Sequence, residues 1–389
     1  MLGFKTSVQR ELDRFYKAIS DDDFNIRQVT KGALTQARAN LNPEVFKRLN
    51  TVAINTFYDE VEWYNWHGMR TLSVDGTRLV LPNHKTVIEE FGQHNFGPKA
   101  DSPRSLALGS MLYDVLNHVT IDAQIDSYAS SERDLLLKHL EFVKKGDLLL
   151  LDRGYPCFWL LFLLNAKGIE FCVRLKYDWW LEVNAFLKTD DNESIVEFKL
   201  PQKDFKKLNQ YPDYQENTIK CRLIKVILNT GEVEILCTSL IDAEKYKIEE
   251  FKELYHYRWN QEECYKLLKS RIELEDFSGK TAKAVKQDFY AKVFLLTMVA
   301  VYAYPIEEKV IEEFKADKER KFSQKINKTN AIASLKDILV PMFLKRKYQQ
   351  ALDAFDDLVY KTREIIRPGR NIPRHHRQKK QYSMNYKKL

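Results

Sequence analysis

The spacing of hydrophobic residues changes several times along the chain, and each change marks a predicted element. Up to about Trp66 the apolar positions recur at helical spacing, which predicts three short helices. From Arg70 the pattern becomes strand-like. One strand is predicted in RTLSVDGTRLVLP, and an antiparallel pair in SLALGSMLYDVL and HVTIDAQIDSY. A helix capped by Ser130 or Ser131 then leads to DLLLLDRGY, whose continuous apolar run predicts a strand buried on both faces.

Three strands, a helix and a fourth strand are the order of an RNase H-like fold, an α/β core with a mixed sheet and flanking helices. Asp75 lies in the first of these strands and Asp152 closes the fourth. Strands one and four are neighbours in that topology, so we expect the two carboxylates to lie side by side at the sheet. Taken singly, each Asp is as well explained by a turn or a helix cap.

The remainder of the chain predicts how this core is completed. The segment from Glu170 to Leu240 is rich in strands, a helix starts near Tyr246, and further helices cover Ala282 to Ala303 and Ala331 to Ile366. The predicted regions are an N-terminal helical DNA-binding region (1–66), a first part of the RNase H-like core (67–168), a β-rich insertion (169–245), a second part of the core (246–310) and a C-terminal helical region with a basic tail (311–389).

Four polar residues in ELYHYRWNQEECYKLLK have helical spacing. At about 100° per residue, Tyr255, Arg258, Glu262 and Lys269 fall within one arc of about 60°, whereas Glu263 points about 80° away. A carboxylate held between a phenol, a guanidinium and an ammonium suits the handling of a metal-bound phosphodiester. A solvated helix face with ordinary ion pairs has the same pattern, so the arc alone does not decide between the two.

Composition narrows the class of protein. The longest apolar run, Val293 to Tyr304, is too short to span a bilayer, and no signal peptide opens the chain, so we expect a cytoplasmic protein without a membrane partner. The five cysteines are widely spaced, which predicts reduced core thiols and no zinc site. From Lys361 to Leu389 ten Lys or Arg face one acid, a composition that favours nucleic acid but also fits a solubilising tail.

Basic residues of the N-terminal helices are further candidates for phosphate contacts, although a plain helical bundle fits their pattern equally well. They are Arg27, Lys31, Arg38, Lys47 and Arg48.

Taken together, SVDGTRLV, LLLLDRGY and the spacing Tyr-x2-Arg-x3-Glu-x6-Lys resemble the DDE transposases of bacterial insertion sequences, specifically the insertion sequence 4 family. The SERDLL segment with Glu132 and Arg133, and the RPGR start of the tail, are also similar to that family. The resemblance implies that Asp75, Asp152 and Glu262 are the catalytic residues and coordinate two Mg²⁺ ions, with Mn²⁺ as an alternative.

The resemblance also implies DNA as the partner: the terminal inverted repeats of the element and a target, bound by a homodimer. The residues expected to bind DNA are Tyr255, Arg258, Lys269, Arg153, Arg367, Arg370, Arg374 and Arg377. Some members stack a flipped base on a tryptophan of the β-rich insertion; Trp179 or Trp180 lies in that segment here, but core packing is the commoner role of such a residue.

The function expected from this pattern is cleavage of DNA at transposon ends, followed by joining of the 3′-hydroxyls to target DNA. Two alternatives stay open. One is an RNase H-like nuclease without strand transfer. The other is a DNA-binding protein that has retired from catalysis, although all three acids are present.

Overall fold

In the computed structural model, helices lie on both faces of one large sheet. The residues described are 7–20, 23–24, 27–95, 103–177, 180–209, 211, 217–228, 231–317 and 319–367. The nine strands of the sheet are β1 (Thr71–Val80), β2 (Gln93–His94), β3 (Arg104–Asp114), β4 (Val119–Ser127), β5 (Leu148–Leu151), β6 (Glu170–Leu175), β7 (Glu193–Lys199), β8 (Thr218–Ile227) and β9 (Val233–Thr238).

The strand order confirms the RNase H-like fold. β3 pairs antiparallel with both β1 and β4, while β5 lies parallel to β1 on its other side and β6 lies parallel to β5. This gives β4-β3-β1-β5-β6 as the central order. β9, β8 and β7 continue the same sheet beyond β6, so the segment predicted as an insertion extends the sheet of the core. The boundaries of the separate regions stay a prediction.

The helices complete two outer layers. They are α1 (Val8–Ser20), α2 (Lys31–Asn40), α3 (Glu44–Glu60), α4 (Lys85–Phe91), α5 (Glu132–His139), α6 (Phe158–Ala166), α7 (Leu181–Leu187), α8 (Gln202–Leu208), α9 (Glu250–His256), α10 (Trp259–Ser270), α11 (Ala282–Ala316), α12 (Lys328–Phe343) and α13 (Tyr348–Lys361). Two short strands, β10 (Gln324–Lys325) and β11 (Glu364–Ile365), pair near the end of the described chain.

β5 shows why the sheet needs both layers. Leu148 and Leu150 pack into the core formed with α10 and α11, whereas Leu149 and Leu151 pack into the core formed with α5 and α6. All four side chains are fully buried. An all-apolar strand is therefore the only pattern compatible with this position, as its sequence predicts.

The long helix α11 is the main support of one face. By length and composition it could cross a membrane, but 67% of its most apolar 18-residue stretch is buried inside the fold. Its N-terminal part receives Arg38 of α2, whose guanidinium donates to Asp288 at 3.1 Å and to Gln287 at 2.9 Å. Arg38 is thus buried in a structural ion pair, and the suggestion that it contacts phosphates is wrong.

Two predicted helices are interrupted. The helix predicted to start near Tyr246 begins at Glu250 and is divided into α9 and α10, because i→i−3 hydrogen bonds at Arg258, Asn260 and Gln261 tighten the backbone there. The segment 331–366 is divided at Arg346, which has a left-handed φ of 55° and ends the path of α12. Both breaks correct the single helices predicted from hydrophobic spacing.

Candidate active site

Asp75 lies within β1 at the centre of the sheet. Its Oδ1 accepts the Gly76 N–H at 2.9 Å. The pKa of Asp75 is raised to about 7: burial is the main cause and the charges of Glu132 and Asp152 add to it, while the Gly76 N–H and Arg258 act in the opposite direction. The carboxyl group is thus held among other acids in a partly desolvated place.

Asp152 follows the last residue of β5 and is brought level with Asp75 by the strand register. β1 and β5 are parallel, and Ser73 pairs with Leu150, so the residues two positions further along lie side by side. The Gly154 N–H donates to Asp152 Oδ1 at 2.7 Å. Both acids are therefore fixed by backbone groups of the strand or of the turn that follows it.

Glu262 reaches the site from the first turn of α10. Arg258, one turn earlier, donates from Nη2 to Glu262 Oε1 at 3.1 Å. Burial lowers the pKa of Arg258, but the charges of Tyr255, Glu262 and Asp75 outweigh it and give a net increase. The guanidinium thus lies between the helix acid and the strand acid. Glu263, which the helical spacing excludes, is exposed and pairs with Lys266.

Three contacts dock α10 along β1. Gln261 is hydrogen-bonded to Ser73, Tyr265 donates to the Asp75 carbonyl at 2.7 Å, and Lys269 donates to the Arg78 carbonyl at 2.7 Å. Gln261, which is fully buried, also donates to the Met111 carbonyl of β3 at 2.7 Å. The helix that carries Glu262 is therefore fastened to the strand that carries Asp75.

Tyr255 lies in the last turn of α9, beside the break, and Lys269 lies in the last turn of α10. Tyr255 is 7% exposed, and its hydroxyl donates to the Leu151 carbonyl at 3.3 Å, next to Asp152. Burial lowers the pKa of Lys269. The break between α9 and α10 separates Tyr255 from the other three residues of the predicted arc, and its role in DNA binding stays a prediction.

The remaining predicted DNA contacts lie at the edge of the described structure or beyond it. Arg153 is exposed beside Asp152, and Arg367 is exposed at the end of the described chain. Arg370, Arg374 and Arg377 lie outside the described residues, as does Trp179. Trp180 stacks on Phe158 with ring centroids 4.3 Å apart and is 7% exposed, so it is a core residue and does not present a face for a flipped base.

Glu132 joins the site although the sequence gives it only a weak signal, its place in the SERDLL motif. It is the first residue of α5. Burial and the charge of Asp152 raise the pKa of Glu132, and Arg133 lowers it. Glu132, Asp75 and Asp152 therefore interact electrostatically from three different elements.

The donor set suits a hard divalent cation. Asp75 and Asp152 each accept one N–H at Oδ1, and no described residue donates to either Oδ2. Asp75 and Glu262 share one buried guanidinium, Arg258, while Glu132 and Asp152 add further negative charge beside Asp75, which leaves negative charge to be balanced. Within the described ranges no three Asp, Glu, His or Cys side chains are already arranged as a metal-binding group, and Glu262 is held by Arg258.

The strand order, with Asp75 within β1 and Asp152 directly after β5, defines an RNase H-like protein with a cluster of carboxylates. A family model described as the transposase DDE domain matches residues 66–298, more than half of the chain. The chain belongs to this family, the DDE transposases.

The relatives point to the insertion sequence 4 type. The chain is 24% identical to the transposase InsG for insertion sequence element IS4 of Escherichia coli K12, over 70% of this chain and 60% of InsG. It is 23% identical to the putative transposase InsZ of the same organism, over 38% of this chain and 50% of InsZ. The matched region thus spans less than two thirds of either relative.

Among solved structures, a piggyBac transposase synaptic complex with hairpin DNA is similar with a TM-score of 0.42 and 10% identity. The similarity covers 92% of this chain and 78% of that one.

Proposed function

We propose that this protein is the transposase of an insertion sequence, which cuts DNA at the ends of its element and joins the freed 3′-hydroxyls to target DNA. Family membership supports a transposase. The observation that supports the chemistry is the parallel pairing of Ser73 with Leu150, two residues before Asp75 and Asp152, together with the contact of α10, which carries Glu262, to the Asp75 carbonyl.

Asp75 and Asp152 would hold the divalent ions, two Mg²⁺, with Glu262 as the third protein ligand. The chemistry that bound ions supply is activation of the attacking water or 3′-hydroxyl and stabilisation of the leaving oxygen. Glu262 can take this role by exchanging its ion pair with Arg258 for a place beside Asp75. Because carboxylates must be ionised to bind metal, the raised pKa of Asp75 makes the site sensitive to pH.

Arg258 and Lys269 would hold the DNA strand. Once Glu262 turns away, the Arg258 guanidinium is free to clamp a phosphate through two donors, and its Nε already lacks a partner among the described residues. Lys269 lies further along the same helix and offers a point charge. Tyr255 would join them only after its hydroxyl leaves the Leu151 carbonyl.

The proposed oligomeric state and the further DNA contacts follow from the need to pair the two ends of the insertion sequence. A homodimer would bring the ends together. The side chains of five arginines would contact the DNA phosphates of the terminal repeats and the target: Arg153, Arg367, Arg370, Arg374 and Arg377. Action on bacterial DNA would place the protein in the cytoplasm.

The test uses a DNA fragment that contains the gene together with its flanking sequences, incubated with the full-length protein and Mg²⁺. We expect cuts at the element boundaries and joined products, both absent for Asp152→Asn, which should still bind the ends. Cleavage without joined products would favour a nuclease. Binding without cleavage by the wild-type protein would favour a retired DNA-binding protein.

A further inference from the structure

The first turn of α5 contains two acids with different surroundings. Asp134 is exposed and forms a capping box with Ser131: the Ser131 hydroxyl accepts the Asp134 N–H, and the Asp134 carboxylate accepts the Ser131 N–H. Glu132, at the first helical position, is not part of this box and extends towards β1. An acid that only complements the helix dipole has no need to leave the solvent.

One glycine, Gly76, makes room for the Glu132 carboxylate, while a second, Gly154, lies at ordinary contact distance from it and closer to Asp152. A Cβ added to Gly76 would lie 2.5 Å from Glu132 Oε1, and one added to Gly154 would lie 3.8 Å from Glu132 Oε2 and 3.0 Å from Asp152 Oδ1. Neither glycine has the positive φ that requires glycine on backbone grounds. The absence of a side chain at Gly76 therefore serves the close approach of Glu132 to the strand, one residue after Asp75.

Arg133 fixes this approach. Its Nε donates to the Tyr155 carbonyl at 2.9 Å, and its Nη2 donates to the carbonyls of Gly154 at 2.7 Å and Pro156 at 3.4 Å. The start of α5 is thereby fastened to the turn that carries Asp152. Glu132 and Asp152 are therefore held close to each other by the same contacts.

The Tyr155 side chain adds an independent observation at the same place. It is fully buried, and its hydroxyl has no hydrogen-bond partner in the described part of the chain. The charges of Glu132, Asp75 and Asp152 all act on this hydroxyl. A buried donor left unpaired among carboxylates is costly unless the carboxylates rearrange, for example when they bind a cation.

We propose that Glu132 is a fourth carboxylate of the acid site and supplies an oxygen to the divalent ion held by Asp75 and Asp152. This inference rests on the proposed function, because it adds a ligand to the same metal site. Four carboxylates from four elements would satisfy more of the six positions that Mg²⁺ or Mn²⁺ prefers than the three acids of the predicted set.

The test is a Mn²⁺ titration of the full-length protein by calorimetry, together with thermal unfolding in the presence of EDTA. We expect Glu132→Gln to weaken Mn²⁺ binding by about tenfold or more. Glu141→Gln, an exposed acid just after α5, should stay within about twofold of wild type. Without metal, Glu132→Gln should unfold at the same or a higher temperature, because it removes repulsion from Asp75 and Asp152.

A second variant tests the geometry. Gly76→Ala should displace the Glu132 carboxylate and weaken Mn²⁺ binding several-fold in the wild-type background. In a Glu132→Ala background the same change should have no further effect, since the atoms that the new Cβ would meet are gone. Additive losses would contradict a shared site.

Asp152→Asn separates the two proposals. If it abolishes Mn²⁺ binding while Glu132→Gln remains within twofold of wild type, Glu132 is not a ligand and the proposed function stands. If neither change affects Mn²⁺ binding, the metal site itself is wrong and both proposals fail. A lower unfolding temperature for Glu132→Gln in EDTA, with unchanged Mn²⁺ affinity, would assign Glu132 a structural role and overturn this inference alone.

Discussion

The strand side and the helix side of the acid site are held in different ways. On the strand side, Asp75 and Asp152 accept N–H groups from Gly76 and Gly154, backbone donors of β1 and of the turn that follows β5. On the helix side, Glu262 accepts from the side chain of Arg258. Backbone donors cannot be exchanged without changing the fold, whereas an ion pair one turn along a helix can open with a change of rotamer.

This contrast indicates which half of the site is ready for metal. The strand acids lie level in the register and keep Oδ2 clear of donors in the described structure. Glu262 must first leave Arg258, which then becomes available to a phosphate. The helix side would thus couple DNA capture to completion of the metal site.

The largest expected effect is the loss of cleavage when Glu262, the acid of the helix side, is replaced. Glu262→Gln should lower the rate of end cleavage by roughly 10³-fold or more, since it removes a protein ligand of the ions. Glu263→Gln is the matched control, because Glu263 is exposed on the next position of the same helix. Single-turnover cleavage measures both. Equal losses in the two variants would refute the choice of Glu262.

A smaller loss is expected from Arg258→Lys. A lysine keeps the charge but not the planar fork that can hold Glu262 and a phosphate in turn, so cleavage should fall by about 10- to 100-fold. Arg14→Lys serves as the control, because Arg14 forms an ion pair with Glu11 on the surface of α1. Cleavage by Arg258→Lys at the wild-type rate would show that the charge alone suffices.

The strand side predicts a pH dependence. With a pKa of about 7 in the folded protein against 3.8 as a free group, Asp75 holds a proton that the unfolded chain releases. Without metal, stability should therefore fall as pH rises from about 4 to about 7, by no more than about 4 kcal/mol from this group. Urea unfolding in EDTA should show a smaller fall for Asp75→Asn, and parallel pH curves for the two proteins would contradict it.

The smallest effect concerns the contact that joins the two sides. Tyr265→Phe removes the hydrogen bond to the Asp75 carbonyl and should cost about 1 kcal/mol of unfolding free energy, with a cleavage rate lower by a few-fold. Tyr257→Phe, which loses an exposed contact with Glu253, should change stability by less than about 0.5 kcal/mol. A Tyr265→Phe protein indistinguishable from Tyr257→Phe would show that this contact does not align the helix.

Sequence patterns predict the strand side well, because its geometry follows from local signals. The all-apolar β5 can only be a central strand, and its position next to β1 brings Asp152 to Asp75. The helix side is less predictable. The contacts of Tyr255 with β5 and of Gln261 with β3 lie on either side of the break between α9 and α10, and no spacing rule contains those contacts. The space that Gly76 leaves for Glu132 is likewise visible only once α5 is folded over β1.

The most direct test of the central claim is the anomalous scattering of Mn²⁺ in crystals of the protein bound to an element end. We predict Mn²⁺ between the Asp75 and Asp152 carboxylates, with Glu262 released from Arg258 and a carboxylate oxygen at roughly 2.0–2.2 Å from an ion. Mn²⁺ bound away from Asp75 and Asp152, or Glu262 still paired with Arg258 beside a fully loaded site, would contradict the account.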